Sequence, residues 1–510
     1  MLAIIAAALI PLLAMVGSGV DVSRGYLAQS RLQQACDAGV LAARKRMGAN
    51  AMAGILSAES LAAGQTFFDI NFRDGIYGTE QRSFNLKVES DFSISGLATV
   101  VVPTTIMTIF GYTEMPLRAE CAAQLSMSNT DVMMVLDTTG SMGTTNPGDS
   151  KNRIDTLKDV VRSFYAQLDA AASPATRIRY GFVPYATNVN VGGLLEEDWV
   201  ADEWSYNYRQ PITSGGVKLW NYDRILTDVR FVYNGTPTKQ FKIGGTALFP
   251  TQVTVGWSGC IEERATYEIT DYTNVDLTKA IDLDLDRVPD PSKPETQWKP
   301  LLRDLSFVRA IGGSTWSFNP AAIDTTDDYI NAAWWGFATC PGKARKLAEM
   351  TAAELDTYLA TLSPQGNTYH DIGMIWGGRL ISPTGLFALE NADLPGAPTS
   401  RNLIFLTDGQ TAPLDLSYTT YGIEPLDQRR WKPTSPLSLT QTVEKRFAIA
   451  CSEVKKRNIT VWVVAFGTSL NSTFTECAGS GHYFEAADAV ELQKSFDKIA
   501  KKIGDLRISK

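Results

Sequence analysis

The chain has 510 residues, with 44% hydrophobic, 20% charged and 10% aromatic side chains and a formal net charge of -8. That length exceeds one ordinary core and predicts roughly two or three domains, and the composition is that of a folded protein. An acidic balance without a basic face offers no footprint for nucleic acid, which excludes that class of partner.

Met1 to Val20, MLAIIAAALIPLLAMVGSGV, contains no charged residue. At about 1.5 Å per residue it spans roughly the 30 Å hydrocarbon core of a bilayer, and Pro11 is tolerable in such a helix. A cleaved signal peptide is the competing reading, because Gly17, Ser18 and Gly19 could be processed. The run lacks a basic flank and exceeds the usual signal core, so a retained transmembrane helix over 1–20 is expected. Beyond it Val22, Tyr26, Leu32, Cys36 and Val40 recur roughly every four residues, which predicts a stalk helix continuing over 21–47. The segments Gly19-Val20-Asp21-Val22-Ser23-Arg24, Tyr26 and Leu32-Gln33-Gln34-Ala35-Cys36-Asp37-Ala38-Gly39 resemble the start of TadG-like Flp/Tad pilus-assembly proteins. That resemblance covers 1–47 and implies a pilin-like helix joined to a von Willebrand factor A (VWA) domain. True pilins have a Glu early in the span; its absence here implies an accessory membrane protein instead of a polymerising subunit.

Residues 48–128 are expected to form a small α+β domain. Phe84, Leu86 and Val88 alternate with polar residues, Phe92 and Ile94 repeat the pattern, and Leu117, Ala119, Cys121, Ala123 and Leu125 alternate again. This is the pattern of an antiparallel sheet with one buried face. The six cysteines (36, 121, 260, 340, 451 and 477) include no CxxC pair, and with only His370 and His482 they make a poor zinc set. Outside the cytosol, three disulfides are the natural reading. Grouping by segment pairs Cys36 with Cys121, Cys260 with Cys340 and Cys451 with Cys477, although sequence alone allows about fifteen pairings. Free thiols in a cytosolic protein are the alternative. Arg24, Arg31, Arg44, Lys45 and Arg46 would by themselves hold the following domains in the cytosol. The cysteines argue the opposite, and we expect a single-pass inner-membrane protein with periplasmic or surface-exposed domains.

From Asp131 the pattern becomes α/β. Val132–Leu136, Ile178–Val183, Leu403–Leu406 and Val461–Phe466 read as buried strands. Helical periods separate them, such as Ile154, Leu157, Val160, Val161, Phe164 and Leu168, or Leu492, Phe496, Ile499 and Ile503. Alternating strands and helices predict a doubly wound, mostly parallel sheet of Rossmann type over 129–190 and 364–510. Residues 191–363 interrupt it and hold eight tryptophans (199, 204, 220, 257, 298, 316, 334 and 335), which predicts an inserted subdomain. Those aromatics are either its core or a binding face. A smaller excursion follows over 411–439.

The chemistry lies in Asp137-Thr138-Thr139-Gly140-Ser141, directly after the first strand, where an open α/β sheet places its ligand crevice. Asp137, Thr139 and Ser141 offer a carboxylate and two hydroxyls at alternate positions, suited to a hard cation such as Mg²⁺, with Mn²⁺ or Ca²⁺ as substitutes. Asp408, after the third strand, and Thr368, before a helix from about Tyr369 to Ile381, are the further donors expected; Thr384 is a rival to Thr368. The five resemble the metal-ion-dependent adhesion site of VWA domains (DxSxS, then a distant Thr and a distant Asp), with Thr139 in place of a serine. The resemblance implies a binding site without turnover, in which an acidic side chain of a protein partner completes the coordination. A haloacid-dehalogenase nucleophile would want a second Asp where Thr139 stands, and no Lys completes a P-loop. A metal-dependent hydrolase would need a general base, for which His370 and Asp371 are the candidates. The reading is therefore a metal-dependent binding component of a Tad/Flp-type pilus system. A periplasmic scaffold or a general surface adhesin is the alternative.

Overall fold

The computed structural model describes residues 2–47, 56–89, 93–123, 129–172, 176–228, 240–243, 253–311, 317–318, 323–324, 329–332, 336–393 and 399–505. Among these, side chains of 2–17, 208–212, 214, 218–228, 240–243, 253–256, 304, 309–311, 317, 323–324, 329–331 and 504–505 lie outside the description. The chain divides into two compact units, Met1–Met127 with Ala170–Ala175 and Gly504–Lys510, and Ser128–Asp169 with Thr176–Ile503.

In the first unit, α1 (Leu2–Met47) is one continuous helix. Most side chains of the expected span, residues 1–17, lie outside the described ones; among the described residues no helix is long and apolar enough to cross a membrane. Past the apolar run, α1 buries Leu32, Ala35, Cys36, Val40 and Ala43. They meet Phe68 of α2 (Ala58–Asn71) and the inner face of an antiparallel sheet, β1 (Glu80–Val88), β2 (Ile94–Pro103) and β3 (Glu114–Ala123). Strand β2 alternates buried and half-buried residues along its whole length, as one covered face requires. Of the alternating positions, Phe92 and Leu125 lie outside the described residues, whereas Ala119, Cys121 and Ala123 face the core. Cys36 is bonded to Cys121, joining helix to sheet. Gln29 and Gln33 donate to the carbonyls of Arg118 and Glu120 at 2.8 and 2.9 Å, so the helix also covers carbonyl groups of the β3 edge. Helices α1 and α2 approach at Gly39 and Gly64, where a Cβ on Gly64 would lie 2.6 Å from Leu86 Cδ1 and 3.0 Å from Gly39 O. Gly64→Val is accordingly expected to destabilise this unit by about 1–3 kcal/mol. Unfolding followed by circular dichroism checks it, and an unchanged midpoint would remove the close-approach argument.

The second unit is built on a six-stranded sheet. Its central strand is β4 (Asn129–Asp137), followed by α3 (Arg153–Ala171) and β5 (Ile178–Tyr185). The last part of the 191–363 stretch supplies β6 (Arg345–Ala348) and α4 (Ala352–Leu359), and after it come α5 (His370–Ile381) and β7 (Thr399–Thr407). Then follow α6 (Leu439–Lys455), β8 (Ile459–Phe466), α7 (Ser472–Ala478), β9 (Tyr483–Ala486) and α8 (Ala489–Asp505). The strand order is β6-β5-β4-β7-β8-β9, all parallel except β6. The sheet thus takes its antiparallel edge from inside the 191–363 stretch, which falls in the same compact unit as the sheet. β4 is buried throughout, as expected for a strand covered on both faces. Met133 and Val135 join Ile372, Ile375 and Trp376 of α5 and Phe447 of α6 on one face. On the other, Tyr165 of α3 packs 5.1 Å from Tyr180 of β5, and Phe164 meets Phe496 of α8.

The insertion shares this core. Trp298 is fully buried, Trp257 nearly so, and Trp199 and Trp204 pack against the same cluster. The other four tryptophans, 220, 316, 334 and 335, fall on residues or side chains outside the description. For those described, the aromatics are core. Cys260–Cys340 closes the insertion and Cys451–Cys477 ties α6 to α7.

Candidate metal centre

Asp137 is the last residue of β4, in register with Tyr185, the last of β5, so both stand at the carboxyl edge of the parallel strands. The chain then turns through Thr138 and Thr139 into a short 3-10 turn, Gly140–Gly143. Asp137 is completely buried. Its Oδ1 accepts the Thr139 N–H at 2.9 Å, and its Oδ2 accepts the Tyr185 and Thr407 hydroxyls, each at 3.1 Å. Ser141 Oγ donates to Asp408 Oδ1 at 2.7 Å and lies 2.9 Å from Thr139 Oγ1. Two carboxylates and two hydroxyls are therefore gathered in one small volume. Their chemistry suits a hard, oxygen-seeking cation.

The electrostatics point the same way. Burial, and after it the nearby Asp408 charge, pushes the Asp137 carboxyl up to about 7, despite hydrogen bonds from Thr139 and Thr407 that act in the opposite sense. The Arg153 guanidinium pairs with Asp408 Oδ2 at 3.0 Å, on the side away from Ser141, and compensates one of the two charges. A divalent cation held by Asp137, Thr139, Ser141 and Asp408 would supply the remaining positive charge, and the residues present fit it. Such an ion would act as a Lewis-acidic anchor for a further oxygen ligand.

The loop that precedes Thr368 borders the site. Gly140 N–H donates to Gly366 O at 3.0 Å and Gln365 N–H to Thr138 O at 2.8 Å, so 365–366 runs alongside the 137–141 turn. Thr368 itself is buried and contributes its backbone carbonyl to Ala412 N–H at 3.2 Å. The rival Thr384 stands past the far end of α5, where its hydroxyl donates to Asp286 at 2.7 Å. Among the described residues no group of three or more His, Cys, Asp and Glu side chains is placed to hold a metal ion.

Residues 1–53 match the family of Flp pilus-assembly TadE/G-like proteins. No curated protein matches the sequence. Among solved structures, the pilus adhesin SpaC from Lactobacillus rhamnosus GG is similar at 12% identity and a TM-score of 0.33, over 81% of this chain and 33% of that one. The vWF domain of the type V pili tip protein Mfa5 from Porphyromonas gingivalis is similar at 10% identity and 0.32, over 75% and 97%. The PilB minor pilin from Streptococcus sanguinis is similar at 11% identity and 0.30, over 84% and 78%. The chain thus spans about a third of the SpaC chain.

Both hydrolase candidates are buried and engaged by neighbouring side chains. His370 is fully buried, and both ring nitrogens are engaged, each 2.8 Å from the hydroxyl of Thr407 or Thr411; burial lowers its pKa to about 3. Asp371 is fully buried in an ion pair with Arg430. Sequence reasoning did not single out Tyr185, Thr407 or Arg153 for the site. Thr407 was detectable as the residue before Asp408, and Tyr185 as the residue closing the second strand. Nothing local marks Arg153, whose guanidinium reaches Asp408 across 255 residues of sequence.

Proposed function

We propose that the chain is a membrane-anchored binding component of a Tad/Flp-type pilus system. Its second unit is a VWA-like domain that holds Mg²⁺, or Mn²⁺ or Ca²⁺, on Asp137, Thr139, Ser141, Thr368 and Asp408. The observation that carries the reading is the convergence of two buried carboxylates and two hydroxyls at the carboxyl edge of a parallel sheet. The match of residues 1–53 to a pilus-assembly family supports the pathway. A carboxylate from a pilus or envelope protein completes the metal's coordination, and no bond is made or broken. The charge-free run Met1–Val20 anchors the chain in the inner membrane with both units outside the cytosol, where the three disulfides persist.

The test is made in cells. Asp408→Ala, at undiminished protein level, is expected to abolish pilus assembly or adhesion, chelation should reproduce the loss in the unaltered strain, and Mg²⁺ should restore it there. Normal pili and adhesion in the variant would sink the reading. A periplasmic scaffold merely stabilised by metal is the second reading, favoured if chelation lowers the melting temperature while assembly and adhesion persist.

A further inference from the structure

The first unit carries exposed apolar side chains at the end of the sheet nearest the start of the stalk. Strands β2 and β3 are joined by residues 104–113, and from Ala98 to Thr113 the sequence ATVVVPTTIMTIFGYT has no charged side chain. The turn is well built. Thr104 N–H donates to Thr113 O at 3.0 Å, Tyr112 N–H donates to Met107 O at 3.1 Å, and Gly111 closes the 3-10 turn with φ 86°. Its apolar side chains nevertheless face outward, with Ile109 79%, Phe110 47% and Tyr112 64% exposed.

What fixes this tip in place is Asp21, the first charged residue after the apolar run. Its carboxylate accepts the backbone N–H groups of Thr105, Ile106 and Met107 at 3.1, 2.8 and 2.9 Å. The hairpin tip therefore sits level with the residue that follows Val20. On the helix beside it, Val20, Val22 and Tyr26 are also exposed. Arg24 clasps a second turn there, donating to Tyr77 O at 2.6 Å. Scattered exposed apolar residues need no explanation, but a preformed group of them around the exit of a charge-free, bilayer-length run does. At the opposite end of the sheet the described residues include a polar pair: Lys87, in register with Ser95 at the start of β2, forms an exposed ion pair with Glu89. Strand β2 separates the two ends by roughly 30 Å.

We propose that the β2–β3 tip is a second membrane contact, with Ile109, Phe110 and Tyr112 resting in the phospholipid interface beside the end of the Met1–Val20 span. Aromatic side chains favour that depth, where a ring is buried and a hydroxyl stays wet. The contact rests on the anchor reading above. Two attachments on opposite sides of the Asp21 clasp would fix the tilt of the stalk and the first unit on the bilayer, which a lone helix would not.

The test uses the full chain with Phe110→Cys carrying an environment-sensitive fluorophore, and Lys87→Cys as its counterpart at the opposite end. All six native cysteines are disulfide-bonded, so the new thiol is labelled selectively. After reconstitution into phosphatidylcholine–phosphatidylglycerol vesicles, the probe at 110 is expected to shift to the blue and to lose intensity to a shallow spin-labelled lipid. The probe at 87 should do neither. Protein that floats with vesicles while the probe at 110 stays unshifted and unquenched overturns the tip contact and leaves the anchor standing. A blue shift without lipid quenching means a second copy or another protein covers the tip, and likewise overturns it. A chain that does not float at all overturns the anchor and this contact together.

Discussion

Asp137→Asn is expected to weaken Mg²⁺ or Mn²⁺ binding by about 100-fold or more, while leaving the metal-free chain at least as stable as the unaltered one. The affinity loss follows from removing a direct ligand, since outer-shell partners alone are worth about 10–100-fold. Asparagine can keep its oxygen for Thr139 N–H and turn its amide NH2 to the Tyr185 and Thr407 hydroxyls, which then donate to Leu406 O and Gly409 O instead, so the change removes charge and little else. The stability effect has a definite sign. Burial and Asp408 raise the Asp137 carboxyl from 3.8 to about 7 in the metal-free fold. The folded chain then binds this proton more tightly than the unfolded one, so stability falls as pH climbs between those values. The full cost, on the order of a few kcal/mol, stands above that window, and bound metal should cancel it. Melting temperatures across pH 4 to about 8, with and without Mn²⁺, read this directly, and calorimetry reads the affinity. Equal metal binding by the variant and the unaltered chain would end the metal assignment.

Arg379→Met should cost about 3–5 kcal/mol of the second unit's stability. Arg379 and Glu263 form a 2.6 Å ion pair with both side chains fully buried. Glu263 also accepts Trp376 Nε1–H at 2.8 Å and Trp298 Nε1–H at 3.1 Å, while Arg379 donates to Asp282 O at 2.6 Å. Burial pushes the Glu263 carboxyl up, but Arg379, Arg264 and Trp376 overcome it and hold the carboxyl below its ordinary value. Without the guanidinium, that buried carboxylate loses its direct ion-pair partner and keeps only the more distant Arg264 charge. Glu263 belongs to the insertion and Arg379 to α5, so the pair fastens the insertion to the sheet's helices. Urea unfolding measures the loss, and a difference under about 1 kcal/mol would show that water or a local shift solvates Glu263 instead.

The elements carrying strong local period are legible in the sequence. β4 and β5 are short apolar runs, and α3 and α8 repeat at helical spacing, because a strand or helix that buries a face must write that face into its own residues. The cysteine pairs grouped by segment are the pairs the structure joins. Asp137, Thr139 and Ser141 are legible as a group because they lie within five residues, and Asp408 because it follows a strand in the same way. The edge strands β6 and β9 are not: each has four residues of mixed burial, too few to show a period.

The sequence by itself determined the charge-free N-terminal run, the α/β alternation with its interruption, and the oxygen-rich loop at the end of a buried strand. Each is a property of neighbouring residues. Only the tertiary structure decided that Tyr185 and Thr407 hold Asp137, that Arg153 offsets Asp408, and that residues 365–366 run beside the 137–141 turn while the Thr384 hydroxyl bonds Asp286. It alone set Glu263 against Arg379 and the 104–113 turn against Asp21. These depend on strand register and on which faces pack together, and register couples residues far apart in the chain, where no local periodicity records the pairing.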